Sequence, residues 1–162
     1  MAIAIRPSTR TFVAKHEGRR ARVYRDSKGH PTVGVGFNLD RGDARKVLAS
    51  VGADYDRVRA GAQDLTDAQI DALLDVTLRG AMETVRAAVP GFDALKPAQQ
   101  DGLMDMAFNL GSGGFPKFQK MIAALNAGDA RTAAAEAKDS LWAQQVGPER
   151  VADVVMGLLS VE

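Results

Sequence analysis

The chain has no cysteine in its 162 residues. Disulfides, thiolate zinc sites and cysteine nucleophiles are excluded together. Histidine occurs only as His16 and His30, without the spacing of a metal-binding pair, so no metal site and no cofactor are expected. No apolar run approaches the roughly 20 residues of a membrane span, so membrane insertion is not expected. The start Met1–Ile5 is too short for a signal-peptide core and lacks a basic leader, so no Sec signal is expected. Charge of one sign is also missing. Twenty-one basic residues stand against 20 acidic ones, for a net charge of +1, which gives no field for nucleic acid. Gly34-Val35-Gly36 lacks the third glycine and the helix of a dinucleotide loop. Gly111-Ser112-Gly113-Gly114 lacks the Gly-Lys-Ser/Thr of a phosphate loop, and no Gly-x-Ser-x-Gly supports a serine hydrolase.

What is present is an ordinary soluble composition, 46% apolar and 25% charged, long enough for one domain with a real core. One stretch concentrates acid, base and backbone-special residues: His16-Glu17-Gly18, then Asp26, then Pro31-Thr32-Val33-Gly34-Val35-Gly36. Four arginines, Arg19, Arg20, Arg22 and Arg25, crowd around it. They offer either a local positive potential for an anionic polymer or a solvated strand face.

Along the chain, residues 1–7 read as a loose lead-in. Ser8 is a candidate N-cap for a first helix over 8–17 that Gly18 ends. Ala21–Arg25 alternates like a half-buried strand. Asp26–Pro31 is dense in turn formers, and Thr32–Gly36 is a second strand, so a small antiparallel hairpin or meander is expected. Its glycines Gly34 and Gly36 mark a close approach by something else. The rest is helical. Asp40 is a candidate cap for a helix over Asp43–Ser50, and Asp54–Ala60 forms a short one. The Thr66-x-x-Gln69 capping box opens a long helix to Pro90, with Ile70, Leu73, Leu74, Thr77, Leu78, Met82 and Val85 as its apolar stripe and Gly80 as a bend. At 1.5 Å per residue, about twenty residues span about 30 Å, enough to join two lobes. Pro97 opens a helix too apolar for a surface. The glycines 111–114 break it, and helices over Phe115–Leu125, Ala130–Leu141 and Pro148–Leu159 follow.

Glu17 and Asp26 are the carboxylate pair of interest. Glycoside hydrolysis needs one carboxyl to protonate the leaving oxygen and a second as nucleophile or water-activating base. A helix C-terminus disfavours a carboxylate, which suits Glu17 to the acid role, and Asp26 at a turn suits the ionised partner. By spacing alone, the same pair is also what 20 acids on a surface produce. Thr32 is either a hydroxyl that holds a water or an ordinary strand threonine. Trp142, Gln145 and Arg150 form a late cluster. Trp142 is most simply a core anchor, while Arg150 is either a surface charge or a partner for a carboxylate.

Glu17, Asp26 and Thr32 together resemble the Glu-x8-Asp-x5-Thr signature of the phage-type lysozymes, glycoside hydrolase family 24. Met106-Ala107-Phe108-Asn109-Leu110-Gly111 resembles the family's core-helix motif, and Trp142, Gln145 and Arg150 its closing pattern. The resemblance runs from about Phe12 to the end of the chain.

It implies an α+β, mostly helical, lysozyme-like fold in one catalytic domain, 1–162. A sheet-bearing lobe would cover about 19–65 and a connecting helix about 66–89. A helical lobe would cover about 90–162 and take in the first helix, 8–17. It implies cleavage of the β-1,4 bond between N-acetylmuramic acid and N-acetylglucosamine in bacterial peptidoglycan, with inversion. Glu17 would be the general acid, Asp26 would activate water and Thr32 would hold it. Phe108 and Asn109 would bind substrate. Gly34 and Gly36 would support the site, and Arg150 would pair with Glu17. Such a pair favours the ionised glutamate, so desolvation and the helix end must offset it. A monomer is expected, made in the host cytoplasm and reaching the wall through a holin or a delivery machine. The other reading on the same fold is a catalytically silent peptidoglycan-binding protein. The intact Glu17, Asp26 and Thr32 argue against it.

Overall fold

The computed structural model describes residues 4–160, so the first three residues of the expected lead-in, within the apolar start Met1–Ile5, lie outside it. The fold is α+β and mostly helical. Among the described residues are nine α-helices, two short 3-10 turns and one three-stranded antiparallel sheet. The chain forms two compact units, residues 13–77 and residues 1–12 with 78–162, so the division falls within the first and fourth helices.

The unit 13–77 holds the sheet. Helix α1 (Pro7–Glu17) begins at the proline itself, one residue ahead of the expected cap, because a first-turn proline loses no hydrogen bond. It ends where Gly18 takes φ +80 and donates its N–H to Ala14 O at 2.9 Å. Strand β1 (Arg20–Arg25) pairs with β2 (Pro31–Gly34), with Tyr24 opposite Thr32 and an irregularity between Arg20 and Tyr24. A two-residue β3 (Phe37–Asn38) turns the hairpin into a meander, with Val33 opposite Phe37. Every residue of β2 is buried, since it is the central strand.

Helix α2 (Ala44–Ser50) follows without a side-chain cap. Asp40, the expected cap, instead binds Arg59 and His30. Asp54 caps α3 (Tyr55–Arg59) by accepting from Arg57 N at 3.2 Å. Helix α4 (Asp67–Ala88) opens on the expected capping box. Gln69 N donates to Thr66 Oγ1 at 3.1 Å, and Thr66 N donates to Gln69 Oε1 at 3.0 Å. Ile70, Leu73, Leu74, Leu78 and Val85 are its buried stripe, and it runs unbroken through Gly80.

In the other unit, α5 (Pro97–Gly114) is buried from Gln99 to Ala107 except at Gln100. Gly111, at φ +75 and ψ 178, leaves the helical conformation and breaks the helix where the glycine run was expected to, and a short helical turn follows it. Two of the expected helices are shorter and divided. Pro116 and Phe118 hold a 3-10 turn over Phe115–Lys117 before α6 (Gln119–Asn126). The expected helix 130–141 splits into α7 (Ala130–Lys138) and α8 (Leu141–Val146), because Ser140 turns extended and caps Ala143 N. Helix α9 (Pro148–Leu158) packs on α5, and Gln99 Nε2 donates to the terminal Leu158 O at 3.1 Å.

The α5–α9 contact depends on missing side chains. A Cβ at Gly157 would stand 2.6 Å from the Ala98 carbonyl oxygen, and one at Gly102 would stand 3.3 Å from Val154 O. Backbone cannot yield as a flexible side chain does, so the helices would have to separate and lose packing along their length. Gly157→Ala is therefore expected to cost about 1–3 kcal/mol despite alanine's better helix propensity. Thermal unfolding of the purified variant measures it, and an unchanged or raised midpoint would contradict the close packing.

Candidate active site

Glu17 closes α1 and is half-buried. Its carboxylate lies against the turn that follows β2. A Cβ at Gly36 would stand 2.8 Å from Glu17 Oε2 and 3.1 Å from its Cδ. Gly36 also adopts φ +61, a region that other L-residues enter only at a cost. Backbone conformation thus favours glycine here, and a Cβ would have to displace the Glu17 carboxylate. At Gly34, which takes φ +66, a Cβ would meet Leu73, Ile70 and Leu65 only at ordinary contact distance.

Asp26 follows β1 at the start of a tight turn. Its Oδ1 accepts two backbone N–H groups, from His30 at 2.8 Å and from Lys28 at 2.9 Å. Asp26 N donates to His30 O at 3.0 Å, and Gly29 N donates to Asp26 O at 3.0 Å. The His30 N–H, followed by that of Lys28, holds the Asp26 carboxyl below the usual carboxylate range, against a smaller opposing effect of desolvation. Both bonds go to one oxygen, which leaves Oδ2 as the face available to an incoming group. Thr32 is 2% exposed and donates its hydroxyl to His30 O at 2.9 Å. With its hydrogen committed, its remaining capacity is that of an acceptor.

Tyr24, opposite Thr32 on β1, senses both acids. Burial pushes its phenol up, and the charge of Glu17 pushes it the same way. Arg20, stacked 4.7 Å from the ring centroid, opposes this, and Asp26 adds to it. The phenol therefore stays protonated as a donor. The arginines of this region are largely occupied. Arg19 pairs with Asp71 at 2.7 Å and Asp67 at 3.3 Å, Arg22 pairs with Asp64 at 3.0 Å, and Arg25 donates to Gly29 O at 2.7 Å.

Glu17, Asp26, Thr32, Gly34 and Gly36 all belong to the unit 13–77. Phe108, Asn109 and Arg150 belong to the other. There Asn109 is exposed and Phe108 half-buried at the end of α5. Trp142 is buried, and its indole N–H donates to Asn109 Oδ1 at 3.1 Å, which leaves the amide N–H groups of Asn109 as outward donors. Arg150 is buried as well, and forks onto Asp105. Nε donates to Oδ2 and Nη2 to Oδ1, each at 2.8 Å. Asp105 is 0% exposed. One turn earlier, Asp101 accepts from Arg6 Nη2 at 2.8 Å and from the Thr9 hydroxyl.

Sequence reasoning missed Asp105, although a signal existed. An acid inside Leu103–Ala107, in a helix read as buried, demands a cation. The roles of His30, Asp40 and Arg59 were also missed, since they sit in a turn, a loop and a separate short helix.

Removing the Asp105 carboxylate strips a buried guanidinium of a bidentate partner, a class of loss that costs about 3–5 kcal/mol. Asp105→Ala is expected to lose that much in chemical denaturation, and Asp105→Asn less. A shift under about 1 kcal/mol for the alanine variant would contradict the buried pair.

A family model described as Phage lysozyme matches residues 14–160. The chain is 31% identical over 144 residues to the pre-baseplate central spike protein Gp5 of Enterobacteria phage T4, covering 83% of this chain and 24% of that protein. It is 30% identical over 105 residues to the peptidoglycan hydrolase gp36 of Enterobacteria phage SP6, covering 65% of this chain and 11% of that protein. It is 22% identical over 151 residues to the probable T4-type lysozyme 2 of Dictyostelium discoideum, covering 88% of each. The chain thus spans about a quarter and about a ninth of the two phage proteins it matches. With a family match over most of its length and the α+β architecture that the family resemblance implies, the chain belongs to the phage lysozyme family.

Proposed function

We propose that this protein hydrolyses bacterial peptidoglycan at the β-1,4 bond between N-acetylmuramic acid and N-acetylglucosamine, with inversion. The observation that carries the reading is the committed hydrogen bonding around His30. Asp26 Oδ1 is filled by two N–H groups, and the Thr32 hydroxyl donates to His30 O. Asp26 Oδ2 and a Thr32 lone pair then remain as acceptors. A water that gives one hydrogen to each presents its own lone pair to the anomeric carbon. As the C–O bond to the leaving sugar breaks, Glu17 protonates the departing oxygen. Asp26 takes the water's proton, stays ionised for that task because its N–H donors favour the charged form, and acts from the opposite sugar face. Inversion of this kind needs the two carboxyls about 6.5–9.5 Å apart, to leave room for the water.

Within this reading Phe108 and Asn109 bind saccharide, with the Asn109 amide donors turned outward by Trp142. For Arg150 the family resemblance implies pairing with Glu17, and within its own unit Asp105 fixes the guanidinium. The protein acts as a monomer, and reaches the wall after holin-type release or as part of a delivery machine. The name of the gp36 relative supports the substrate, and that of the Gp5 relative supports delivery.

Glu17→Gln is expected to abolish clearing of outer-membrane-permeabilised cells while the protein stays folded. For the wild type, early products read by mass spectrometry and proton NMR should end in reducing N-acetylmuramic acid in the α configuration. Retained lysis by the variant, or an initial β-anomer, would overturn the acid assignment or the inversion respectively. Gly36→Ala tests the same group from its neighbour. The added methyl must displace the Glu17 carboxylate, so the lytic rate should fall at least about tenfold, because small misplacements of a reacting group are costly. An unaffected rate would show that the Glu17 position at this turn is not the one used.

A further inference from the structure

His30 serves Asp26 and Thr32 with its backbone alone, and its imidazole turns to a second set of groups. Nδ1 lies 3.2 Å from Asp40 Oδ2, and Asp40 Oδ1 accepts from Arg59 Nη1 at 2.7 Å. The same Nη1 lies 3.0 Å from the Tyr55 hydroxyl, which donates to Leu39 O at 2.7 Å. Leu39 N in turn donates to Pro31 O at 2.8 Å, beside Thr32. The links thus run from the turn, through the segment after β3 and helix α3, and back to β2.

Such a chain adds little to stability. The side chains of His30, Asp40 and Arg59 are 44%, 41% and 41% exposed, and pairs this open contribute about 0–1 kcal/mol. Its consequence is geometric. The N–H and C=O of His30 meet Asp26 Oδ1, Asp26 N and Thr32 Oγ1, so any drift of His30 moves three contacts at once. The other side of the turn is braced by Arg25 on Gly29 O.

We propose that the His30 imidazole, held by Asp40 and through it by Arg59, is a positioning group that sets Asp26 and Thr32 for the attack of water. The proposal rests on the reading of Asp26 and Thr32 as the water-holding pair. With a hydrogen on Nδ1, the ring donates to Asp40. Asp40 stays ionised, held below the usual range by Arg59 first and His30 second. The titratable and charged groups facing Asp26 are His30 and Lys28 of its own turn and Tyr24 of β1. Those facing the ring are Asp40 and, beyond it, Arg59.

His30→Ala, His30→Asn and Asp40→Ala test it, because an asparagine amide nitrogen stands near the place of Nδ1 and can donate to Asp40. The readouts are kcat and KM on soluble peptidoglycan fragments, the pH profile and the melting temperature. His30→Ala and Asp40→Ala should each lower kcat about tenfold with KM little changed, as for a displaced reacting group. The acid limb of activity should move to higher pH, because Asp26 loses well-aligned N–H donors, and melting should hardly shift. His30→Asn should restore most of kcat. Asp26→Asn, run alongside, separates the two readings. If it is inactive while His30→Ala keeps full kcat and an unmoved acid limb, the positioning role is overturned and the Asp26 assignment stands. If Asp26→Asn remains active, the water-holding reading falls and the positioning role with it. Equal loss in His30→Asn and His30→Ala would also overturn the role, since the donor to Asp40 would then be irrelevant.

Discussion

One carboxylate oxygen, Asp26 Oδ1, organises the sheet unit. By accepting the N–H groups of Lys28 and His30 it closes the turn between β1 and β2. That closure fixes the register in which Tyr24 faces Thr32, and the register carries Thr32 to the His30 carbonyl. The strand ends at Gly34, and in the turn that follows, the Gly36 backbone comes close to Glu17 with no Cβ between them. Main-chain atoms thus meet the Glu17 and Asp26 carboxylates and the Thr32 hydroxyl alike. Main-chain atoms have little freedom to rearrange, so the geometry exists before any substrate arrives.

The helical unit solves a different problem. Helix α5 is buried for most of its length, yet it carries Asp101 and Asp105 one turn apart. A buried carboxylate is tolerable only when paired and hydrogen-bonded. Arg6 and Thr9 answer the first, from the segment around the start of α1, and Arg150 answers the second, from α9. These acids tie remote parts of the chain to one helix. Gly102 and Gly157 allow the α9 backbone close enough for Arg150 to reach.

Much of this was legible beforehand, for physical reasons that can be named. Thr66 and Gln69 announce α4 because a capping box is local, and its apolar stripe repeats over about four turns. Pro97 and Pro148 announce α5 and α9 because proline suits only a first turn. The boundary between α7 and α8 was lost because Ser140 caps as weakly in sequence as any serine, and two residues suffice to break a helix. Asp40 was misread as a cap because a cap is a local signal, while its partners His30 and Arg59 lie 10 and 19 residues away. Within the site, the spacing of Glu17, Asp26 and Thr32 was readable. That His30 holds two of them was not, because it does so with its backbone, and backbone hydrogen bonds leave no mark on residue type.

The Asp105–Arg150 pair and the His30–Asp40–Arg59 chain differ in burial. Asp105 and Arg150 lie at 0% and 7% exposure, where an ion pair resists disruption because neither partner can return to water. Such a pair belongs to packing, and its loss is felt as stability. His30, Asp40 and Arg59 stand two-fifths open, where water competes for every bond and little folding energy is at stake. An exposed chain of bonds can still restrict which conformations of a turn are populated. A shift too small to register in unfolding is large on the scale that general acid–base chemistry tolerates. The Asp105–Arg150 pair therefore bears on stability, and the His30–Asp40–Arg59 chain on the geometry of the turn that holds Asp26.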